Sequence, residues 1–249
     1  MSLNAARTVR ELALEVPNAT RVFEKMGIDY CCGGGKSLED ACVAAHIPVN
    51  EVLEKLEGAK PVPGLTADGN WSSGLLTDLI THIVRKHHTY TRDEIVRLQP
   101  LLEKVCSVHG KNHPELLSIH QTFDGLAQEL TMHLMKEEQM LFPYIERMEE
   151  AALENGPVLP AAFGTVQNPV RMMMQEHDSA GGALRQMREV SRNYATPDDA
   201  CISYKTLYGA LQEFEADLHQ HIHLENNILF PRAIAMEEKA GHSSEQKTA

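Results

Sequence analysis

His133-Leu134-Met135-Lys136-Glu137-Glu138-Gln139-Met140-Leu141-Phe142-Pro143 and His221-Ile222-His223-Leu224-Glu225-Asn226-Asn227-Ile228-Leu229-Phe230-Pro231 spell one pattern twice, H-x-x-x-E-x-x-x-L-F-P. The copies lie 221 − 133 = 88 residues apart. Their flanks agree as well: Leu126 aligns with Phe214, Leu130 with Leu218, and Met140 with Ile228. A second pair of segments repeats at 177 − 88 = 89, with His88 against His177, Val84 against Met173, Ile95 against Leu184, and Leu98 against Met187. Self-similarity of this kind reads as two copies of one helical hairpin.

The spacing has a physical meaning. Residues four apart share a helix face, so His133 with Glu137, and His221 with Glu225, each address one region. Leu130, Leu141, Leu218 and Leu229 turn those faces toward a core. A buried carboxylate or imidazole without a partner is costly. Metal coordination removes that cost, and carboxylates projecting into a bundle core are a known route to di-iron sites. The predicted ligands are His88, His133, Glu137, His177, His221 and Glu225, giving four nitrogens and two carboxylates. Such a set disfavours structural zinc, which takes four ligands and often sulfur. It suits iron or manganese, and imidazole favours iron.

Each choice has a bland rival. A single His-x-x-x-Glu is ordinarily a surface pair; duplication on apolar faces, with His88 and His177 also matched, argues otherwise. Glu138 competes with Glu137, but its counterpart is Asn226, whereas Glu137 and Glu225 agree in both copies. His87 competes with His88. Seven and ten residues beyond His87 stand Glu94 and Arg97; beyond His88 stand Ile95 and Leu98, so His88 is the one read as facing the core. His219 and His223 are expected at the surface, and His46, His82, His109, His113, His120 and His242 are read as solvated. Met172-Met173-Met174 reads as a run that includes core packing and not as a copper box.

Outward from the repeats, the pattern predicts four long helices: 73–106, 114–150 with Pro114 in its first turn, 166–194, and a fourth that follows Thr196-Pro197-Asp198-Asp199, read as a cap, and reaches Glu238. A loop is expected over 155–164 and a polar tail over 241–249. Gly58, Pro61, Pro63, Gly64, Gly69 and Ser72 mark a linker over 58–72, a flexible chain spanning roughly 20 Å. Before it, residues 1–57 carry four short helices: one capped by Thr8 and ending at Glu15, one capped by Asn18 and stopping at Gly27, a third beginning at Ser37 and a fourth at Asn50. The expected fold is all-α, a small helical domain followed by a four-helix bundle over 73–240 that carries every predicted ligand and should bind metal alone.

Composition bounds the rest. The chain has 249 residues, 43 % of them hydrophobic and 23 % charged, an ordinary globular balance. The net charge of −12 opposes binding to nucleic acid. No apolar run nears the roughly 18–20 residues that cross a bilayer, and Glu11 and Glu15 interrupt the only N-terminal stretch that resembles a leader. Five cysteines, two of them adjacent at Cys31 and Cys32, do not form a disulfide framework. A cytoplasmic protein without membrane or nucleic-acid partners is expected.

These residues resemble a known family. Lys136 to Pro143, Leu224 to Pro231 and Glu176-His177-Asp178 look like hemerythrin-like di-iron proteins, and Asp29-Tyr30-Cys31-Cys32-Gly33-Gly34 looks like the N-terminal signature of the repair of iron centers (RIC) group. The resemblance covers residues 5–236. It implies a bacterial cytoplasmic protein that protects or restores iron–sulfur clusters after nitric oxide or peroxide stress. It implies a non-haem, oxo-bridged di-iron centre, with Glu137 and Glu225 bridging and His88, His133, His177 and His221 terminal. Damaged iron–sulfur proteins are the implied partners, nitric oxide or oxygen the small ligands, and a homodimer an open assembly.

Three readings of Cys31 and Cys32 stay open: reactive thiols that handle iron or nitric oxide, a disulfide within or between chains, or no role. The glycine-rich loop argues for exposure, which favours reactivity. Cys42 and Cys201 are expected to pack, and Cys106 is undecided. Two functional classes compete: a protein that supplies iron from a labile site, and an enzyme that reduces nitric oxide or activates oxygen at a stable one. Reversible oxygen carriage is weaker, because a carrier needs no thiol module.

Overall fold

The computed structural model describes residues 3–59, 71–154, 156 and 161–246, with side chains through residue 240. Residues 60–70 of the expected linker, residues 155 and 157–160 of the expected loop and residues 247–249 of the tail lie outside the described residues. The protein is all-α, a hemerythrin-like bundle preceded by a small helical region, and no strand occurs among the described residues.

Four short helices open the chain: α1 (Val9–Glu15), α2 (Ala19–Lys25), α3 (Leu38–Ala44) and α4 (Val49–Gly58). Thr8 and Glu11 form a capping box on α1, with Glu11 N donating to Thr8 Oγ1 at 3.2 Å and Thr8 N to Glu11 Oε2 at 2.9 Å. Ser37 caps α3 by accepting from Asp40 N at 3.1 Å. Asn18 begins α2 differently from expectation: its backbone is left-handed, φ 59°, and its side chain makes no cap bond. Pro48, not Asn50, precedes α4. Val9, Leu12, Phe23, Ile28, Tyr30, Leu38, Val52 and Leu56 form the core of these helices.

Four long rods follow. The first is α5 (Leu76–Ile83), a π-turn (Val84–His88) and α6 (Thr89–His109). The second is α7 (Glu115–Lys136), a π-turn (Glu137–Leu141) and α8 (Phe142–Leu153). The third is α9 (Gln167–Val190). The fourth is α10 (Ile202–Leu224), a π-turn (Glu225–Leu229) and α11 (Phe230–Gln246). Contacts divide the chain into two compact units, Met1–Leu75 with His219–Arg232, and Leu76–Leu218 with Ala233–Ala249.

In the larger unit α6 and α9 pack on α7, and α5 packs on α8. The buried stripes recur at intervals of three and four: Leu98, Leu102 and Val105 on α6, Leu116, Ile119, Phe123, Leu126 and Leu130 on α7, Val170, Met173, Ala180, Leu184 and Met187 on α9. Two helix starts are satisfied by glutamates from neighbouring helices. Leu76 N and Thr77 N donate to Glu149 at 2.6 and 2.9 Å, and Val166 N donates to Glu237 at 3.0 Å. Each answers the unpaired N–H groups and positive dipole of a helix N-terminus.

Thr196-Pro197-Asp198-Asp199 does not cap the fourth rod, which begins at Ile202. Asp199 is instead taken by His113, whose Nε2 stands 3.0 Å from Oδ1. The rod also runs past Glu238 to Gln246. Of the methionine run, only Met173 enters the core; Met172 and Met174 are exposed.

Candidate metal centre

All three π-turns touch a predicted ligand: one ends on His88, and the others begin on Glu137 and Glu225. A π-turn inserts one residue into the helical ladder and commonly marks a functional site. Pro143 and Pro231 each stand six residues after the glutamate. Lacking an N–H, each leaves an upstream carbonyl without its helical donor, which fits a change from i→i+4 to i→i+5 bonding. That signal lies in the L-F-P ending of both repeats, and reading the segments as plain α-helix passes over it.

His88, Glu137, His221 and Glu225 are fully buried, and His133 and His177 are 2 % exposed. Glu137 Oε2 lies 3.5 Å from His88 Nε2 and 3.3 Å from His133 Nε2. His133 Nε2 and His177 Nε2 are 3.0 Å apart, and His221 Nε2 is 3.1 Å from Glu225 Oε1. Two groups of four each offer ligand atoms within 4.8 Å of one another: His88, Glu137, His221 and Glu225, and His133, Glu137, His177 and Glu225. Glu137 and Glu225 belong to both. Imidazole and carboxylate donors packed at this density, with no thiol among them, fit iron, and buried carboxylates are costly without a cation.

Two of the histidines are held from behind. His88 Nδ1 lies 2.7 Å from Glu138 Oε1, which also accepts from Arg92 Nη2 at 2.8 Å. His133 Nδ1 lies 2.8 Å from Glu176 Oε2, and Lys136 pairs with the other oxygen of Glu176. Burial raises the pKa of Glu138 and Glu176, but the hydrogen bonds from histidine and from the basic side chain outweigh it, so both sit below the ordinary carboxylate range. As carboxylates they accept Nδ1–H, which leaves the Nε2 lone pair on the side of Glu137.

Other histidines depart from expectation. His87 is as buried as His88, with Nδ1 3.0 Å from Asp217 Oδ1. His223 is 3 % exposed and is not at the surface. His219 is largely covered, with Nδ1 2.9 Å from Glu24 Oε2. A period of 3.6 places His219 and His223 off the ligand face, but it says nothing of a second surface that covers them. His109 faces Cys201, Nε2 to Sγ 3.2 Å, and Cys201 is exposed where packing was expected.

That second surface is the cysteine loop. His223 Nδ1 is 2.9 Å from Asn227 Nδ2, which donates to Tyr30 O at 3.0 Å. Asn226 Nδ2 donates to Cys31 O at 3.4 Å, and Arg10 Nε donates to Asn227 Oδ1 at 2.7 Å. A Cβ at Gly34 would stand 2.7 Å from Asn227 Oδ1, so any larger residue there would have to displace the Asn227 amide. Cys31 is therefore buried, not exposed, and Cys32 half-buried, both as free thiols with Sγ atoms 3.9 Å apart. The bond to Cys32, then burial, push the Cys31 thiol well above the ordinary range. Asp29 Oδ1 ties the loop by accepting from Cys32 N and Gly33 N, each at 2.9 Å. Asp29, Cys31 and Cys32 form a third group with ligand atoms within 4.8 Å.

A helical bundle that buries histidines and glutamates in shared clusters defines a cation-binding class, and the chain matches the hemerythrin HHE cation binding domain over residues 79–233. Residues 5–60 match a domain of unknown function, DUF542. The chain is 34 % identical to a probable iron-sulfur cluster repair protein of Haemophilus influenzae, over 92 % of this chain and 97 % of that one. It is 33 % identical to the iron-sulfur cluster repair protein YtfE of Yersinia pseudotuberculosis and to that of Yersinia pestis, over 90 % of this chain and 94 % of each. The chain belongs to this hemerythrin-like family with a cysteine-bearing N-terminal domain. Among the described residues no helix is long and apolar enough to cross a membrane.

Proposed function

We propose that this protein is a cytoplasmic di-iron protein that repairs damaged iron–sulfur clusters by supplying iron. The observation that carries the reading is the pair of buried four-residue groups sharing Glu137 and Glu225. Glu137 and Glu225, common to both groups, would help hold both ions, with His88 and His221 added for one and His133 and His177 for the other. The relatives named for cluster repair span nearly the whole chain, cysteine domain included. Damaged iron–sulfur proteins are then the clients.

Two non-haem iron ions held there would supply the cargo for rebuilding a cluster. The chain's own residues do the rest. Glu138 and Glu176 keep His88 and His133 in one tautomer. The apolar stripes of α6, α7 and α9 exclude water from the four-helix interior, where a buried carboxylate is costly without a cation. Cys31 and Cys32 are proposed to serve as thiols in the transfer, which needs the loop to lift from Asn226 and Asn227, because Cys31 is buried and held protonated as it stands.

The test is anaerobic. Iron-loaded protein is mixed with a nitric-oxide-damaged [4Fe–4S] protein, and client activity, iron lost from the donor and nitrous oxide are measured together. Recovery of the client matched by iron loss supports supply. In a parallel sample supplied with nitric oxide and a chemical reductant, nitrous oxide formed catalytically with iron retained would assign the protein instead to nitric oxide reduction. Replacing both Cys31 and Cys32 by alanine should slow client recovery while leaving the iron count unchanged; full recovery in that variant removes the thiol role.

A further inference from the structure

Glu138 follows Glu137 in sequence, yet the two carboxylates address opposite nitrogens of one ring. Glu137 Oε2 stands 3.5 Å from His88 Nε2, and Glu138 Oε1 stands 2.7 Å from His88 Nδ1. The ring itself is fully buried and stacks on Phe142, with centroids 5.6 Å apart and planes at 20°. Phe142 sets the plane of the ring and Glu138 sets its proton. Arg92, one turn beyond His88, donates to the same oxygen, Glu138 Oε1, at 2.8 Å and is 45 % exposed. Duplication does not explain the arrangement. The counterpart of Glu138 in the second repeat is Asn226, whose amide is spent on the carbonyl of Cys31.

We propose that Glu138 is a positioning residue for His88, tightening the hold of Nε2 on iron, and that Arg92 tempers it; the proposal rests on the reading of His88 as an iron ligand. A carboxylate that accepts Nδ1–H fixes the orientation of the imidazole and raises its donor strength at Nε2, and loss of such a partner lowers metal affinity about 10- to 100-fold. A cation on the same carboxylate oxygen withdraws charge from it and weakens the effect. The Glu138–Arg92 pair reaches the surface, so the retention of iron at His88 is set from a place that a client or a change of salt can reach.

The experiment uses the full-length protein loaded with iron, as wild type and as Glu138→Gln, Glu138→Asp and Arg92→Gln. Each is mixed anaerobically with excess ferrozine, and iron(II) release is followed with time. Glu138→Gln should start with the wild-type iron count and release one of its irons about tenfold faster, giving a two-phase trace. Glu138→Asp should return part of the slow release, and Arg92→Gln should be slower than wild type. Melting of the iron-free forms should be unchanged. Wild-type release from Glu138→Gln overturns the proposal, as does equal acceleration of both irons together with a lowered melting temperature. Should Glu138→Gln not fold, wild-type release from both Glu138→Asp and Arg92→Gln overturns it. Failure of the underlying reading looks different: His88→Ala would keep the wild-type iron count, whatever Glu138→Gln does.

Discussion

The two copies of H-x-x-x-E-x-x-x-L-F-P share their internal geometry and differ in their cover. Each begins a π-turn on its glutamate, at Glu137 and at Glu225, and each sets histidine Nε2 against the glutamate, at 3.3 Å in the first copy and 3.1 Å in the second. Between those fixed points they diverge. In the first copy Met135, Gln139 and Met140 are exposed, and Glu138 turns back to His88. In the second, every residue from His221 to Phe230 is buried, and Asn226 and Asn227 hold the backbone of Tyr30 and Cys31. The repeated histidine and glutamate are addressed to the proposed iron and the repeated L-F-P to the shape of the helix; the positions that differ record what packs on the other face.

The largest effect should come where the copies are alike. Glu137 and Glu225 each belong to both groups, so on the proposed di-iron reading Glu137→Ala and Glu225→Ala should each take the iron count from two toward zero. His133→Ala and His221→Ala each disturb one group and should leave about one iron. Buried partners left unsatisfied cost about 1–3 kcal/mol each, and the stabilisation by bound metal is lost as well. Iron analysis with thermal melts decides it. A Glu225→Ala protein that keeps its iron while Glu137→Ala loses it would break the equivalence of the copies.

A smaller effect should appear where they differ. Asn227→Leu removes the donor to Tyr30 O and the acceptor for Arg10 Nε, both next to the buried cysteine loop. It should cost about 1–3 kcal/mol. The equivalent change in the first copy, Gln139→Leu, alters an exposed side chain and should stay within about 0.5 kcal/mol. Denaturant midpoints of the two variants compare them directly. Equal losses would mean that the cysteine loop adds nothing to the second copy.

Much of this is legible in the sequence. The repeat, the i, i+4 spacing and the apolar flanks show which six residues share an interior, and Thr8 and Ser37 announce their helices because capping is local chemistry. What escaped is tertiary. Asn227 meets Tyr30 across 197 residues, and nothing near Asn227 signals it. In the sequence Glu138 stands only as a rival to Glu137, because spacing along one helix cannot show His88 on another. Solvent exposure is the natural reading of both His223 and Cys31, yet the Tyr30 ring packs on His223, and Asn226 and Asn227 donate to the carbonyl of Cys31. The π-turns had a local signal in Pro143 and Pro231. Thr196 and Asp199 show the reverse failure, a good capping sequence overridden when His113 takes the aspartate.

The smallest effect concerns reactivity and leaves the fold intact. Cys31 and Cys201 are thiols in opposite environments. Cys201 is exposed, and its pKa is lowered, first by the backbone N–H of Tyr204 and then by His109. Cys31 is buried and its pKa is raised, first by Cys32 and then by burial. The thiolate is the nucleophile, so the pH at which alkylation accelerates follows the pKa. Cys201 should react with iodoacetamide at a lower pH than an ordinary thiol, and His109→Ala should move its profile upward. Cys31 should lag throughout and react only as the loop opens, since burial blocks the reagent as well as ionisation. Asn227→Leu should then speed Cys31 and leave Cys201 untouched, which separates loss of the cover from general unfolding. Peptide mapping of the alkylated protein across pH 6–9 reads both sites in one sample. If Cys31 matches Cys201 at neutral pH in the unaltered protein, the second copy does not hold the loop down, and the difference drawn between the copies fails at its most sensitive point.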